Sequence, residues 1–352
     1  MDIEGKIALV NRKPSSEIIT AEDLRETFQN YSHPKHYIGF EISGLVHIGS
    51  GLVTALKVRD FLEAGIKPTI WLADYHAWIN GKLGGDLEKI QHVAKGYFKS
   101  AFVSLGLPED KVTYRLASEN YTPEYWKDVL DICNHTTIAR MLRCTTIMGR
   151  TEKDAVGSSS IIYPAMQAAD IFLLDAQIAH AGMDQRKVHM LAREIAEKMK
   201  RKKPVAVHHR LLSGLQGPQK MGFEENEKLD LEISSKMSKS KPGSCIYIHD
   251  SPEEIKKKIG GAYCPPKETE GNPITDICEQ LILRTEKDTL KIERPAKFGG
   301  DAEYADSVSL LNDYKEGKLH PMDLKNSVSN YLIRTFEPSR KYFEKNPELL
   351  KF

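Results

Sequence analysis

Residues 36–116 alternate short apolar runs with longer amphipathic ones, and that rhythm leaves few folds open. Residues 36–42 (HYIGFEI) read as a buried strand ending at the Ser43-Gly44 turn, and a helix is expected over about 49–64, stopped by Gly65. Residues 68–74 (PTIWLAD) form the next strand, Asp86 caps a long helix closed by Gly106, and 111–116 is a third strand. Strand, helix, strand, helix, strand is the order of a parallel sheet with crossover helices, so the fold class is α/β.

The flanking regions extend this scheme. Thr20 followed by Asp23 marks an earlier helix start. Residues 122–153 read as helical, with Thr122 as N-cap and Pro123 as first helical residue; helix returns over 161–174, then a short strand near Ile178 and a helix from Asp184. A helical insertion, about 118–160, is therefore expected between two halves of one sheet. From the basic turn at 200–204 a polar, Gly- and Lys-containing stretch reads as loop as far as Gly243. Ser251-Pro252-Glu253-Glu254 is a capping box that opens a mainly helical region running to Phe352. Two domains are expected, 1–250 and 251–352.

Composition narrows the class of protein. With 40% hydrophobic and 28% charged residues and a net charge of +1, the chain is neither disordered nor fibrous. Nothing in the overall charge marks a nucleic-acid binder, so such a role requires local clusters such as 200–203 (KRKK) and 236–241, each of which also suits a solvated lysine face. Five scattered cysteines with no CxxC pair suggest neither a disulfide frame nor a zinc site, and no apolar run is long enough to span a bilayer. A cytoplasmic protein is expected, with no membrane partner.

Chemistry enters at residues 43–51 (SGLVHIGSG), where a strand ends, a glycine-bearing turn follows and a helix begins. α/β sheets bind nucleotides at such turns, because the helix start offers unpaired N–H groups and partial positive charge. His47 is placed to meet a phosphate, and Gly49 lets the nucleotide approach the backbone; alone, such a histidine equally suits capping or packing. A second element, Lys236-Met237-Ser238-Lys239-Ser240, lies 189 residues downstream of His47. Two lysines among small hydroxyl residues suit a flexible clamp on a polyphosphate whose charge moves to a leaving group.

His47-Ile48-Gly49-Ser50 resembles the HIGH signature, and 236–240 matches the KMSKS signature, of class I aminoacyl-tRNA synthetases. Ser50 departs from that pattern, standing where the second histidine falls. The resemblance implies a Rossmann-like catalytic domain that uses ATP with Mg²⁺ as co-substrate, a KMSKS loop at about 222–243, and a mainly helical anticodon-binding domain behind it. His47, Lys236 and Lys239 would be catalytic, with Gly49, Ser50 and Met237 beside them at the nucleotide.

A substrate pocket is expected from Tyr37, Gly39 and Glu41 on the first strand, Tyr163, Gln167 and Asp170 on one helix, and Gln185 at the next helix start. The spacing i, i+4, i+7 puts the three helical residues on one face of an otherwise apolar run, where unpaired polar groups are costly. They suit a ligand or an internal network. Here the resemblance is to tyrosyl-tRNA synthetases of the archaeal and eukaryotic cytosolic type, carried by YIGFEISG (37–44), LADYHAWIN (72–80), YPAMQAADI (163–171), AGMDQRKVHMLARE (181–194), RPAKFGGD (294–301) and HPMDLKN (320–326). It implies that Tyr37 and Asp170 bond the phenol of L-tyrosine, that Glu41, Tyr163, Gln167 and Gln185 hold its α-amino group, and that Gly182, Met183 and Asp184 bind adenosine. As an alternative, Asp184 caps the following helix. His76 is a further pocket residue, expected near the mouth.

The resemblance further implies a homodimer joined through the insertion, and tRNA(Tyr) as partner. Arg186 would meet the acceptor stem, with Arg140 and Arg143 as further candidates, while Phe298, His320 and Asp323 would read the anticodon; Phe298 as core and Asp323 as a cap of the last helix are the plain alternatives. Three rivals stand against this reading: a tryptophanyl-tRNA synthetase, a nucleotidylyltransferase with an HxGH-like turn, and a non-enzymatic RNA-binding relative.

Overall fold

The computed structural model describes residues 1–149, 157–219, 226–237 and 243–352. Helix α1 (Ile3–Asn11), capped by Asp2, leads into β1 (Ser15–Ile19) and α2 (Ala21–Asn30), capped by Thr20. Next come β2 (Lys35–Glu41), α3 (Leu52–Glu63), β3 (Lys67–Ala73) and α4 (Asp74–Ile79). Asp86 caps α5 (Leu87–Val93), which continues through a π-helical turn into α6 (Lys99–Ser104), and β4 (Thr113–Leu116) follows. The insertion contains α7 (Pro123–Asn134) and α8 (Ile138–Cys144). The chain returns through α9 (Ser158–Leu173), β5 (Ile178–Gly182), α10 (Arg186–Ala196), β6 (Val205–His209) and α11 (Glu227–Ser235). The remainder comprises α12 (Pro252–Gly260), α13 (Pro273–Ile277), the hairpin β7 (Leu290–Ile292) and β8 (Ala302–Tyr304), then α14 (Ser307–Glu316), α15 (Pro321–Thr335) and α16 (Glu337–Lys345).

The six-stranded sheet has the order β1-β6-β5-β2-β3-β4, with β1 antiparallel to β6 and every other pair parallel. It grows outward from β2 through β3 to β4, then on the other side through β5 to β6, so its topological switch lies between β2 and β5. Pairing of β2 with β3 runs the full length, from Lys35↔Lys67 to Glu41↔Ala73, but β2 meets β5 only at His36↔Ile178 and Tyr37↔Ala179. The two strands therefore part toward their C-terminal ends and open a crevice there.

Alternation along β2 divides its side chains between two layers. Ile38 packs with α3 and α6, whereas Tyr37 packs with Trp71 and the apolar faces of α7, α9 and α10. The first of these clusters continues into Ile255, Ile274, Leu324 and Phe336, so the residues beyond 250 share a core with the sheet. A polar tie fastens the N-terminus. The fully buried Lys57 ammonium donates to the carbonyls of Leu9, Val10 and Arg12 at the C-terminal end of α1, and to Asp60, which also receives Arg12 and Arg284.

Several expectations need correction. The helix after the first turn begins at Leu52 rather than near Gly49, because residues 47–51 close a turn on the His47 carbonyl first. The stretch read as loop after Pro204 holds a fully buried strand, β6, and the helix α11. Its sequence, VAVHH, ends in two histidines that look polar yet lie inside the sheet. α1 and the edge strand β1 were not expected, and α15 is followed by a further helix. All five cysteines are free.

Candidate active site

The nucleotide turn is a compact knot that only small residues can form. A Cβ on Gly51 would lie 2.6 Å from Val46 Cγ1, and one on Gly49 would press on the His47 ring at 3.2 Å. Gly49 N donates to His47 Nδ1 (3.2 Å), which leaves the ring proton on Nε2. Ser50 Oγ bonds the His47 backbone on both sides, donating to its carbonyl and accepting from its N–H. Ser50 thus serves the turn's shape and supplies no second imidazole. Ile48 N donates to Ile246 O (2.8 Å) and His47 pairs with Tyr247, which fastens the turn to the segment just after the lysine motif.

Lys236 follows directly on α11, and Met237 beside it is buried, with its N–H on Leu212 O. Lys239 lies outside the described residues. The Lys236 ammonium reaches across to Asp184 Oδ2 at 2.6 Å. Burial pushes the Asp184 carboxyl up, but the Lys236 charge and hydrogen bond outweigh it and hold the group below its ordinary value. Asp184 makes no cap for α10, so the helix-cap alternative falls away. Gly182 is required here: a Cβ would stand 2.6 Å from Leu211 Cδ2 and 2.7 Å from Asp184 Oδ1.

Below the splayed strands lies a slot with polar groups at two levels. At the upper level Glu41 is the hub: Tyr163 donates its hydroxyl to Oε1 (2.7 Å), Asn80 donates its amide to the same oxygen (2.8 Å), and Lys82 sits 3.3 Å from Oε2. Gln167 Nε2 donates to Gln185 Oε1, and Gln185 Nε2 in turn donates to Ile147 O. Deeper, a Cβ on Gly39 would meet the Tyr37 hydroxyl at 2.5 Å, so glycine there leaves that hydroxyl its space.

At the floor, Asp170 is fully buried and neither carboxyl oxygen has a hydrogen-bond partner. Burial raises its pKa well above the ordinary carboxylate range, against the pull of donors on Tyr121, Tyr125 and Trp71 that face it. Trp71 Nε1 and the Tyr121 hydroxyl are likewise buried and unpaired. Both ring nitrogens of His76 are too, and its Nε2 stands 3.9 Å from Asp170 Oδ2. Burial drives His76 down to about 3, so this approach is a neutral imidazole beside a carboxyl and not an ion pair. His76 is only 2% exposed and packs edge-on to Tyr163, which places it at the floor rather than the mouth. So many orphaned polar atoms in one place are what a pocket built for a polar ligand group leaves behind.

Trp71, Tyr121, Tyr125, Asn80 and Lys82 were missed as site residues. Tyr121 and Tyr125 stack at 3.9 Å, and their i, i+4 spacing was the one available signal. Of the RNA candidates, Arg186 is held by Glu17 (2.8 Å), Arg140 by Glu194 (2.9 Å), and Arg143 is exposed. In the 200–203 run, Arg201 pairs with Asp128, Lys202 with the Tyr31 hydroxyl and Lys203 with Glu197. Phe298 ends a short 3-10 turn, Ala296–Phe298, in a loop that Arg294 clamps to the Lys318 carbonyl, next to His320 and Asp323. His320, not Asp323, caps α15, its ring accepting from Met322 N.

A glycine-rich phosphate-type turn at the switch point, an acidic turn across from it and a lysine motif reaching between them define a class I tRNA synthetase. The family model for class I tRNA synthetases (W and Y) matches residues 29–235 and 230–337. The chain belongs to the tyrosine–tRNA ligases of that family, as whole-length likeness to its relatives establishes. It is 51% identical to the tyrosine–tRNA ligase of Pyrococcus furiosus over 100% of this chain and 98% of that one. The crystal structure of Pyrococcus horikoshii tyrosyl-tRNA synthetase complexed with L-tyrosine is 49% identical and superposes with a TM-score of 0.94, covering 100% and 99% of the two chains. Tryptophanyl-tRNA synthetase from Aeropyrum pernix shares the fold at 18% identity and a TM-score of 0.68, covering 94% and 83%. Among the described residues no helix is long and apolar enough to cross a membrane.

Proposed function

We propose that the chain activates L-tyrosine with ATP and Mg²⁺ to tyrosyl-adenylate and pyrophosphate, then transfers the tyrosyl group to the 3′ end of tRNA(Tyr) in the cytoplasm. The observation that carries the choice of amino acid is the orphaned carboxyl of Asp170 at the slot floor, beside the Tyr37 hydroxyl. A phenol needs both a donor and an acceptor at its far end, and these two groups supply them. Glu41, acidic and ringed by Tyr163 and Asn80, suits an α-ammonium group, with Gln167 and Gln185 on the other side. The tyrosine carboxylate attacks the α-phosphorus in line, and no protein nucleophile is needed. His47, Lys236 and Lys239 stabilise the charge that moves onto pyrophosphate. In pyrophosphate exchange with a single amino acid present, tyrosine supports exchange and tryptophan and phenylalanine do not; exchange with tryptophan would reverse the choice.

The insertion carries a second proposal, a dimer of two copies of this chain. Leu130 on α7 and Ile138 on α8 are 65% and 68% exposed, and Trp126, Ile162 and Trp78 are also open to solvent. Three of these, Trp126, Leu130 and Ile138, belong to the insertion helices, and apolar exposure concentrated in one region is what an isologous interface leaves on the separated chain. Leu130→Glu combined with Ile138→Glu is expected to turn a dimer into a monomer in sedimentation velocity, and a monomeric parent protein would end the idea. Residues 251–352 would bind the anticodon through the clamped 294–301 loop and the His320–Asp323 segment, while Arg186 turns from Glu17 to the acceptor stem.

A further inference from the structure

Three buried histidines from three adjacent strands form a hydrogen-bonded file that ends at the acidic turn. His36 Nε2 lies 3.2 Å from His180 Nδ1, and His180 Nε2 lies 2.8 Å from His209 Nδ1. His36 and His180 are fully buried, while His209, at 6% exposure, alone reaches the cleft. Its free nitrogen, Nε2, stands 3.4 Å from the point where a Cβ on Gly182 would be, and Asp184 Oδ1 stands 2.7 Å from the same point. Register accounts for this, because Gly182 and His209 are directly paired across β5 and β6.

Each nitrogen-to-nitrogen contact holds one proton, so the file can run in either of two directions. Run outward from His36, every ring carries its proton on Nε2, and the last N–H, on His209, points at the cleft. Run inward, a proton would sit on His36 Nδ1, which is buried with no acceptor, and a bare lone pair on His209 would face the Asp184 carboxylate. An orphaned buried N–H is the rarer defect, and two facing lone pairs repel, so the outward direction holds. All three rings are kept neutral: burial drives His36 to about 3 and His209 to about 4, and pushes His180 well below its ordinary value.

We propose that His209 is a nucleotide-binding residue: its Nε2–H, oriented by His180 and His36 as positioning residues, donates to a ribose hydroxyl of ATP that in turn donates to Asp184. With both atoms that near the Gly182 backbone, His209 Nε2 and Asp184 Oδ1 stand at most about 6 Å apart, and a donor and an acceptor at that spacing match a hydroxyl lying between them, which is both. This rests on reading the Gly182–Asp184 turn as the adenosine site.

The test is the KM in pyrophosphate exchange for ATP, 2′-deoxy-ATP and 3′-deoxy-ATP, with His209→Phe, His209→Gln and Asp184→Asn. His209→Phe should raise the KM for ATP about five-fold, the loss of one neutral hydrogen bond, yet leave that of one deoxy nucleotide and of tyrosine unchanged. His209→Gln, which keeps a donor, should restore most of the loss. An equal rise for ATP and both deoxy nucleotides overturns the proposal. Should Asp184→Asn leave the KM for ATP unaltered, the adenosine reading itself fails, and the inference with it. Independently of any variant, the ¹⁵N imidazole spectrum should place the His209 proton on Nε2; finding it on Nδ1 refutes the file's direction.

Discussion

Lys236→Ala should lower the single-turnover rate of tyrosyl-adenylate formation about 10²- to 10³-fold, the usual loss when one charge-stabilising group is removed, and leave tyrosine affinity unchanged. The Lys236 ammonium sits on Asp184 at 2.6 Å, on the nucleotide side and away from Glu41 and Asp170, so its removal touches no tyrosine contact. The same pair explains why the lysine can act late. Ribose hydroxyls donating to Asp184 replace the ammonium there and release it toward the phosphates, where negative charge accumulates as pyrophosphate departs. Deleting the side chain also removes a competitor for Asp184, so the KM for ATP should change much less than the rate. Rapid-quench measurement of adenylate with saturating ATP separates the two; an undiminished rate would show that the clamp plays no part in the chemistry.

The sequence carried the parallel half of this fold and lost its edges, for identifiable reasons. Residues 36–42 and 68–74 announce themselves because strands buried on both faces read as unbroken apolar runs bounded by turn residues. β6 failed that test. His208 and His209 count as polar on any periodicity scale, yet each is satisfied inside the sheet, by Glu17 and His189 for one and by His180 for the other. Their partners come from β1, β5 and α10, which no local window can see. Tyr163, Gln167 and Asp170 were legible as a polar stripe on an apolar helix. Trp71, Tyr121 and Tyr125 were not, because an aromatic residue facing a slot and one facing the core have the same local pattern. Asn80 and Lys82 become visible only once Glu41 is placed beside them.

Asp170→Asn sets stability against binding, and the two should move in opposite directions. Asp170 is fully buried and burial raises its pKa well above its ordinary 3.8, with the donors of Tyr121, Tyr125 and Trp71 only partly opposing it. The folded chain therefore holds this proton to higher pH than the unfolded chain does. By linkage, folding stability falls as pH rises from about 4 toward the folded-state value, because the unfolded state releases its proton first. An amide has no such penalty. The variant's melting temperature should match the parent's near pH 4 and exceed it as pH rises above that, until the folded-state carboxyl ionises, in the absence of tyrosine. Binding should suffer: a hydrogen bond between neutral groups contributes about 0.5–1.5 kcal/mol, so tyrosine affinity should drop roughly 2- to 12-fold. Phenylalanine, which makes no such bond, should lose far less, narrowing the preference between the two. Thermal melts across pH and calorimetric titration with both amino acids decide the matter. A variant that melts lower than the parent at every pH, or that loses affinity equally for tyrosine and phenylalanine, would mean that the acid at the slot floor serves the fold and not the phenol.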